Sequence, residues 1–247
     1  DVNFKEYLRN VANWQYFTGY APWSNPNDIL IEAVPSVGGW LWAIPITDEK
    51  VSIGWVIAAD EFAAMREQDR SVDELFAAAI EASKEVCKVV APARPEPGIR
   101  TARDFSHAAK DLAGPGWLAV GDAAAFIDPL FSSGVWLSTS GAWLAARALD
   151  AALRQPAAET TAFERYQQVY LQIVEDMFAY VLYFSDPHRN KEDYLEKAAA
   201  ATKVFSENSQ VGFISLISGI TALPQILDFN PLGETGMRQT FSEAVRA

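Results

Sequence analysis

With 247 residues, half of them hydrophobic and 21% charged, the chain is long enough to bury a sizeable core, and its composition excludes a disordered or fibrous protein. A formal net charge of −12 excludes a surface built to neutralise nucleic-acid phosphates. A single cysteine, Cys87, excludes an internal disulfide and agrees with a reducing compartment such as the cytoplasm, while two distant histidines without a Cys/His cluster argue against a metal site. No apolar run reaches the roughly 18 residues that a membrane span requires, and the N-terminus lacks the pattern of a signal peptide.

Residues 1–28 are polar and aromatic and end in a loop, APWSNPND. Three strand-like runs follow, Ile29–Val34, Trp40–Ile46 and Val51–Ala58, joined by turns around Pro35–Gly39 and Thr47–Lys50, so an antiparallel meander is expected. Trp40, Trp42 and Ile44 alternate and share one face of the middle strand. Paired tryptophans in that position serve either as core or as the wall of an aromatic ligand pocket. The span Asp60–Val90 reads as helical, with Ser71 and Glu74 in a capping-box pattern, until APARPEP interrupts it. Cys87 lies in this helical pattern and is expected to be buried and inert. Arg100–His107 reads as a further strand, with His107 a structural or solvent-facing residue at its end.

The most informative stretch is Gly116–Ala145, GWLAVGDAAAFIDPLFSSGVWLSTSGAWLA. Trp117–Val120 has the character of a short buried strand, Gly121-Asp122 makes a turn, and Ser132-Ser133-Gly134 opens a long apolar helix from about Val135. The first turn of a helix has unpaired N–H groups and partial positive charge, which suits an anion or a phosphate. A carboxylate after a strand, such as that of Asp122, is suited to accept hydrogen bonds from sugar-like hydroxyls, although a Gly-Asp pair by itself is more often a plain turn.

Gln155-Pro156 ends this helix, and Thr161 with Glu164 has the pattern of a second capping box for a helix running to about Ser185. The Tyr166, Tyr170, Phe178, Tyr180 and Phe184 series reads as core packing, with a substrate cage as the alternative. Residues 190–206 look helical and charged, His188 reads as a loop residue, and the tail from Val211 shows no clear periodicity.

The string GDAAAFIDPLFSSGV resembles the second flavin motif of FAD-dependent monooxygenases of the p-hydroxybenzoate hydroxylase type, and Trp40-Leu41-Trp42-Ala43-Ile44-Pro45 matches the WxWxIP pattern of flavin-dependent halogenases. Both strings occur in the order that family uses, and the resemblance covers most of residues 10–155. It implies an α+β chain that is part of an α/β FAD-binding fold. Residues 1–110 would form a substrate-side antiparallel sheet with helices, 111–155 the second half of the FAD-binding domain, and 156–247 a helical C-terminal region.

By the same resemblance, Asp122 would bind the ribityl or pyrophosphate-linked part of FAD, and Gly121 would let the backbone approach it closely. Pro129, Ser132, Ser133, Gly134 and Val135 would lie against the flavin, the N–H groups of Ser133 and Gly134 would hold chloride or bromide, and Trp40 and Trp42 would stand near the flavin. In this family reduced FAD and oxygen form a C4a-hydroperoxide, and halide attack on it yields a hypohalous species that halogenates an electron-rich ring. A flavin reductase supplies FADH2.

Tryptophan halogenases carry a glutamate just before the S-[ST]-G turn, and Phe131 stands there in this chain, as in halogenases acting on phenols, pyrroles or carrier-tethered acyl groups. The family's GxGxxG and essential lysine find no match in this chain and are expected upstream of Asp1, which would leave this piece inactive and a weak FAD binder on its own. Two rival readings stay open on the residues: a monooxygenase, epoxidase or reductase of the same fold, and a non-catalytic fragment or interaction domain.

Overall fold

The computed structural model describes residues 2–4, 8–23, 25, 28–103, 105–184, 214–215 and 217–233. The expected helix over 190–206, His188, and the side chain of Phe184 lie outside the described residues. The chain is α+β, with antiparallel sheet and helices as expected. It forms two compact units, one comprising Glu6–Phe105 and the other Asp1–Lys5 with Ser106–Ala247.

In the second of these, strand β1 (Val2–Phe4) pairs with a strand introduced below. The first unit begins with β2 (Asn10–Thr18), followed by β3 (Leu30–Ala33), β4 (Trp40–Pro45) and β5 (Lys50–Ala58). Helices α1 (Ala59–Arg66), α2 (Val72–Ala82) and α3 (Val86–Val90) come next, and β6 (Arg94–Pro95) and β7 (Arg100–Arg103) close the unit. The sheet order is β3-β4-β5-β2, and both β6 and β7 pair with β2 in antiparallel register. The expected meander is β3-β4-β5. Strand β2 was hidden in sequence because its apolar residues do not alternate: Val11, Ala12 and Asn13 are all buried in succession.

One face of this sheet carries Leu41, Ala43, Ile53, Trp55 and Ile57 onto helix residues such as Phe62, Phe76 and Ala79. Burial of each large side chain here stabilises the unit by roughly 1.5–3 kcal/mol. The single expected helix over Asp60–Val90 is three helices. Ser71 starts the second with a complete capping box, accepting from the Glu74 N–H while Glu74 accepts from the Ser71 N–H. Cys87 is half-buried rather than buried, on short α3.

Glu32, to which the sequence reading gave no role, ties β3 to the start of α3. Its carboxylate accepts from the Ser83 hydroxyl at 2.6 Å and from the N–H groups of Lys84, Glu85 and Val86 at 2.6, 3.0 and 3.2 Å. Partial burial raises the Glu32 carboxyl pKa, but these four bonds lower it more, so it lies below its ordinary value. The contribution is therefore complete at neutral pH and lost as pH falls through the folded-state value. Glu32→Gln is expected to cost about 1.5–3 kcal/mol at pH 7, read from the shift in urea midpoint, with the difference from wild type shrinking in acid.

The other unit contains β8 (His107–Ala109), β9 (Ala113–Gly114), β10 (Trp117–Leu118) and β11 (Ala125–Phe126), then helices α4 (Gly134–Arg154), α5 (Glu159–Phe184) and α6 (Leu223–Leu227). Strand β8 lies between β1 and β11, and β9 pairs with β10. The strand expected over Arg100–His107 is two strands, β7 and β8, which belong to different units.

Trp117–Val120 is not a buried strand: only Trp117 and Leu118 pair, and Trp117 and Val120 are exposed. An apolar run of four residues is too short to tell a buried strand from an exposed ribbon. Thr161 is not a cap either, because α5 already begins at Glu159, after a 3-10 turn at Pro156–Ala158. The core here is the packing of α4 on α5, where Leu137, Gly141, Leu144 and Ala148 meet Tyr166, Tyr170, Ile173 and Val174. The Tyr170 ring fills the space over Gly141, where a Cβ would come within 2.7 Å of it.

Candidate functional site

Each sequence-derived site residue is placed within its own unit. The segment after β10 turns through a 3-10 helix, Gly121–Ala123, with Gly121 at φ +63°. A Cβ at Gly121 would stand 3.6 Å from Ser138 Oγ, an ordinary contact, so backbone conformation rather than space is what favours glycine here. The Asp122 side chain is exposed, while its carbonyl lies 2.9 Å from His107 Nε2, which ties the turn to β8. His107 is thus half-buried with a structural partner.

After β11 the buried Asp128 accepts the Leu130 N–H at 2.9 Å and so caps the 3-10 turn Pro129–Phe131. The buried Ser106 hydroxyl donates to the Ile127 carbonyl beside it. The chain then passes through Ser132 at φ 52°, one of two non-glycine residues in the left-handed region among the described residues. Strain of this kind persists where the surroundings over-determine it, and it collects at binding sites.

Ser133 is buried at the N-cap of α4 and makes no side-chain cap bond. Gly134 begins the helix beneath the Phe126 ring, which a Cβ there would meet at 3.4 Å. The first N–H groups of this 21-residue helix have no intrahelical acceptor, and the aligned peptide dipoles add positive character. Val135 is 77% exposed at the same end, an apolar surface beside the anion-favouring terminus. The Phe131 ring packs against that of Tyr180, tilted by 31° with centroids 5.4 Å apart.

Behind the turn, α5 presents three buried phenols. The Tyr166 hydroxyl donates to the Ala119 carbonyl at 2.6 Å, and its ring stacks on Tyr170 at 5.9 Å. Burial, and then the Asp122 carboxylate, push the Tyr170 phenol up to about 12. These aromatics are core, in agreement with the packing alternative, and Tyr170 also links that core electrostatically to Asp122. Ser106 and Asp128 were not singled out as site residues in sequence, because an isolated Ser or Asp carries no periodic signal.

In the sheet unit, Trp40, Trp42 and Ile44 lie on the face opposite the helix-covered core, since Leu41 and Ala43 between them are fully buried and the tryptophans only half-buried. The tryptophans thus lie outside the helix-covered core of this unit. Their rings are 6.0 Å apart, and Trp42 Nε1 donates to Ser52 Oγ at 3.2 Å. Trp42 lies flat on Gly54, where a Cβ would be 2.0 Å from the ring.

A cavity of about 380 Å³ lies elsewhere, along the last turns of α4, lined by Arg147, Asp150, Arg154 and Leu232 among others, and contains none of the motif residues. Among the described residues no cluster of three His, Cys, Asp or Glu is placed to hold a metal, and no helix is long and apolar enough to cross a membrane.

The family model described as tryptophan halogenase matches residues 18–211. A tryptophan 2-halogenase of Chondromyces crocatus is 36% identical over 196 residues, 77% of this chain and 37% of that protein. A flavin-dependent halogenase of Penicillium aethiopicum is 36% identical over 158 residues, 61% of this chain and 30% of that protein. The chain thus spans about a third of the length of these curated relatives. Among solved structures, the myxobacterial chondrochloren halogenase CndH, described as a variant of FAD-dependent halogenases, superposes with a TM-score of 0.68 at 26% identity, covering 90% of this chain and 56% of that one. With a family match over most of its length and relatives 36% identical to it, the chain belongs to the flavin-dependent halogenases of the tryptophan halogenase family.

Proposed function

We propose that this chain carries the second FAD motif and the substrate-side sheet of an FADH2- and O2-dependent halogenase that places chlorine or bromine on an electron-rich aromatic substrate. The observation that carries the reading is the turn through left-handed Ser132 into Ser133 and the N-terminus of α4 at Gly134, with the bonds of Asp128 and Ser106 just before it. The residues present fit a flavin: an exposed carboxylate at Asp122, an open backbone at Gly121, and an apolar ledge at Val135 beside unpaired N–H groups.

In this reading Asp122 accepts hydrogen bonds from ribityl hydroxyls, and Pro129, Ser132 and Val135 bear on the ring. Ser133 and Gly134 present N–H groups to the halide. The bound reduced flavin supplies activation of oxygen toward halide. Trp40 and Trp42 belong to the substrate-side sheet in this reading. Residues 1–110 act as the substrate side, 111–155 as the second half of the FAD-binding domain and 156–247 as the helical region.

Phe131, held against Tyr180, puts an apolar ring where a carboxylate would assist free tryptophan, which favours a phenolic, pyrrolic or carrier-tethered substrate. A flavin reductase in the cytoplasm is the matching FADH2 source.

The full-length protein, given FAD, a flavin reductase, oxygen and bromide, is expected to convert members of a phenol and pyrrole panel to products showing the bromine isotope doublet by mass spectrometry. Hydroxylated products without bromine would move the assignment to a monooxygenase of the same fold. Asp122→Ala, at an exposed position, is expected to weaken FAD binding about tenfold or more while leaving Tm nearly unchanged. Unaltered FAD affinity would remove Asp122 from the site.

A further inference from the structure

The outward face of the sheet unit has an order that its register makes explicit. Residues directly opposite each other on antiparallel strands share a face. One row across the sheet is Ile31, Trp42, Gly54, Trp14 and Arg100, and the next rows carry Trp40 with Val56 and Tyr16 with Ser52. Four half-buried aromatic rings thus lie on one surface: Trp14, Tyr16, Trp40 and Trp42. Gly54 sits at its centre, and the absence of a side chain there lets the Trp42 indole lie flat. Trp14 and Tyr16 come from β2, the strand that sequence periodicity did not show.

The cations at one end of this surface differ in their partners. Lys50 lies 5.5 Å from the Tyr16 ring centroid but is paired with Glu96 at 2.6 Å. The exposed Arg100 guanidinium stands over the same ring at 4.8 Å, and among the described residues no carboxylate pairs with it. Stacking on Tyr16 holds its planar fork at the end of the aromatic row. A fixed guanidinium binds carboxylates in two-point geometry, while the flat rings bind a flat ring.

We infer that this face, Trp14, Tyr16, Trp40 and Trp42 with Arg100, is a binding platform for a planar aromatic substrate bearing an anionic group, with Arg100 selecting the anion. The inference rests on the halogenase reading for the reaction, but the binding it describes requires neither flavin nor halide. It assigns Trp14 and Tyr16 to ring contact and Arg100 to specificity.

The test is calorimetric titration of the full-length protein, without FAD or halide, with 4-hydroxybenzoate and with its neutral amide. The acid is expected to bind about tenfold more tightly than the amide, the worth of one charge-assisted hydrogen bond. Arg100→Gln should abolish that difference by weakening the acid alone, Arg100→Lys should restore part of it, and Trp14→Leu should weaken both ligands. Equal binding of acid and amide by the wild type, no binding of either, or unchanged acid affinity in Arg100→Gln would overturn the platform. Discrimination of acid from amide in a protein that yields no brominated product would keep the platform and remove the halogenase reading. Brominated product without such discrimination would do the reverse.

Discussion

Gly39→Val is expected to be the most damaging single substitution in the sheet unit. Gly39 sits at φ +75° in the turn that delivers the chain into β4, and a Cβ there would lie 1.9 Å from the Val56 carbonyl oxygen. The obstacle is the backbone of the central strand, which cannot rotate aside as a side chain would. A β-branched residue in the left-handed region adds its own cost of about 1–2 kcal/mol, and overpacking adds about 1–3 kcal/mol. A loss of about 2–5 kcal/mol is expected, read as a Tm lower by several degrees, about 2–4 °C per kcal/mol for a chain of this size. Gly98 provides the control, with φ +84° but nothing within 4 Å of where a Cβ would stand, so Gly98→Val should lose only the conformational part. Equal losses at the two positions would refute the clash with Val56. Because Gly39 immediately precedes Trp40, a partly folded Gly39→Val protein should also lose the Trp40–Trp42 arrangement.

Alkaline pH is expected to unfold the helical unit steeply. Burial holds the Tyr166 and Tyr180 phenols above the ordinary value of 10.0, and burial with the Asp122 carboxylate pushes Tyr170 up to about 12. Each phenol binds its proton more tightly in the folded chain than in the unfolded one. The stabilisation is therefore complete below pH about 10 and is lost as pH rises from there toward the folded-state values. Each contributes a slope of up to about 1.4 kcal/mol per pH unit, so the three together approach about 4 kcal/mol per unit in that window.

Urea unfolding followed between pH 8 and 12 by far-ultraviolet circular dichroism, both values chosen on either side of the ordinary phenol value, checks the slope. Tyr170→Phe separates this cause from general alkaline loss. The buried Tyr170 hydroxyl has no hydrogen-bond partner among the described residues, so its removal should leave neutral-pH stability unchanged or raise it by up to about 1 kcal/mol, and reduce the alkaline slope by about a third. Tyr166→Phe should behave oppositely at neutral pH, losing about 1 kcal/mol with its bond to the Ala119 carbonyl. A slope that neither substitution changes would show that the phenols are not its source.

The elements legible in sequence were those whose signals are local. The β3-β4-β5 meander followed from alternation and turn residues, and the Ser71–Glu74 capping box from a four-residue pattern. The break at Gln155-Pro156 followed from proline, and the start of α4 near Val135 from the Ser-Ser-Gly turn. The family was legible for the same reason, since GDAAAFIDPLFSSGV and WLWAIP are contiguous strings.

What the sequence could not show depends on partners distant along the chain. Strand β2 exists because β5 pairs on one side and β6 and β7 on the other, and its successive buried residues Val11, Ala12 and Asn13 show no alternation. Glu32 gains its role only when α3 starts 54 residues later beside it. Thr161 has a cap's neighbours, but packing of α5 on α4 draws helix through it from Glu159. The two faces of β4 look equivalent in sequence, as Trp-Leu-Trp-Ala, and only the position of α1–α3 decided that leucine and alanine form the core while the tryptophans face outward. Local composition thus determined the elements and the family. Which polar groups meet, and which face of β4 stays outside the core, was decided by tertiary packing, because burial is a property of what covers a residue and not of the residue itself.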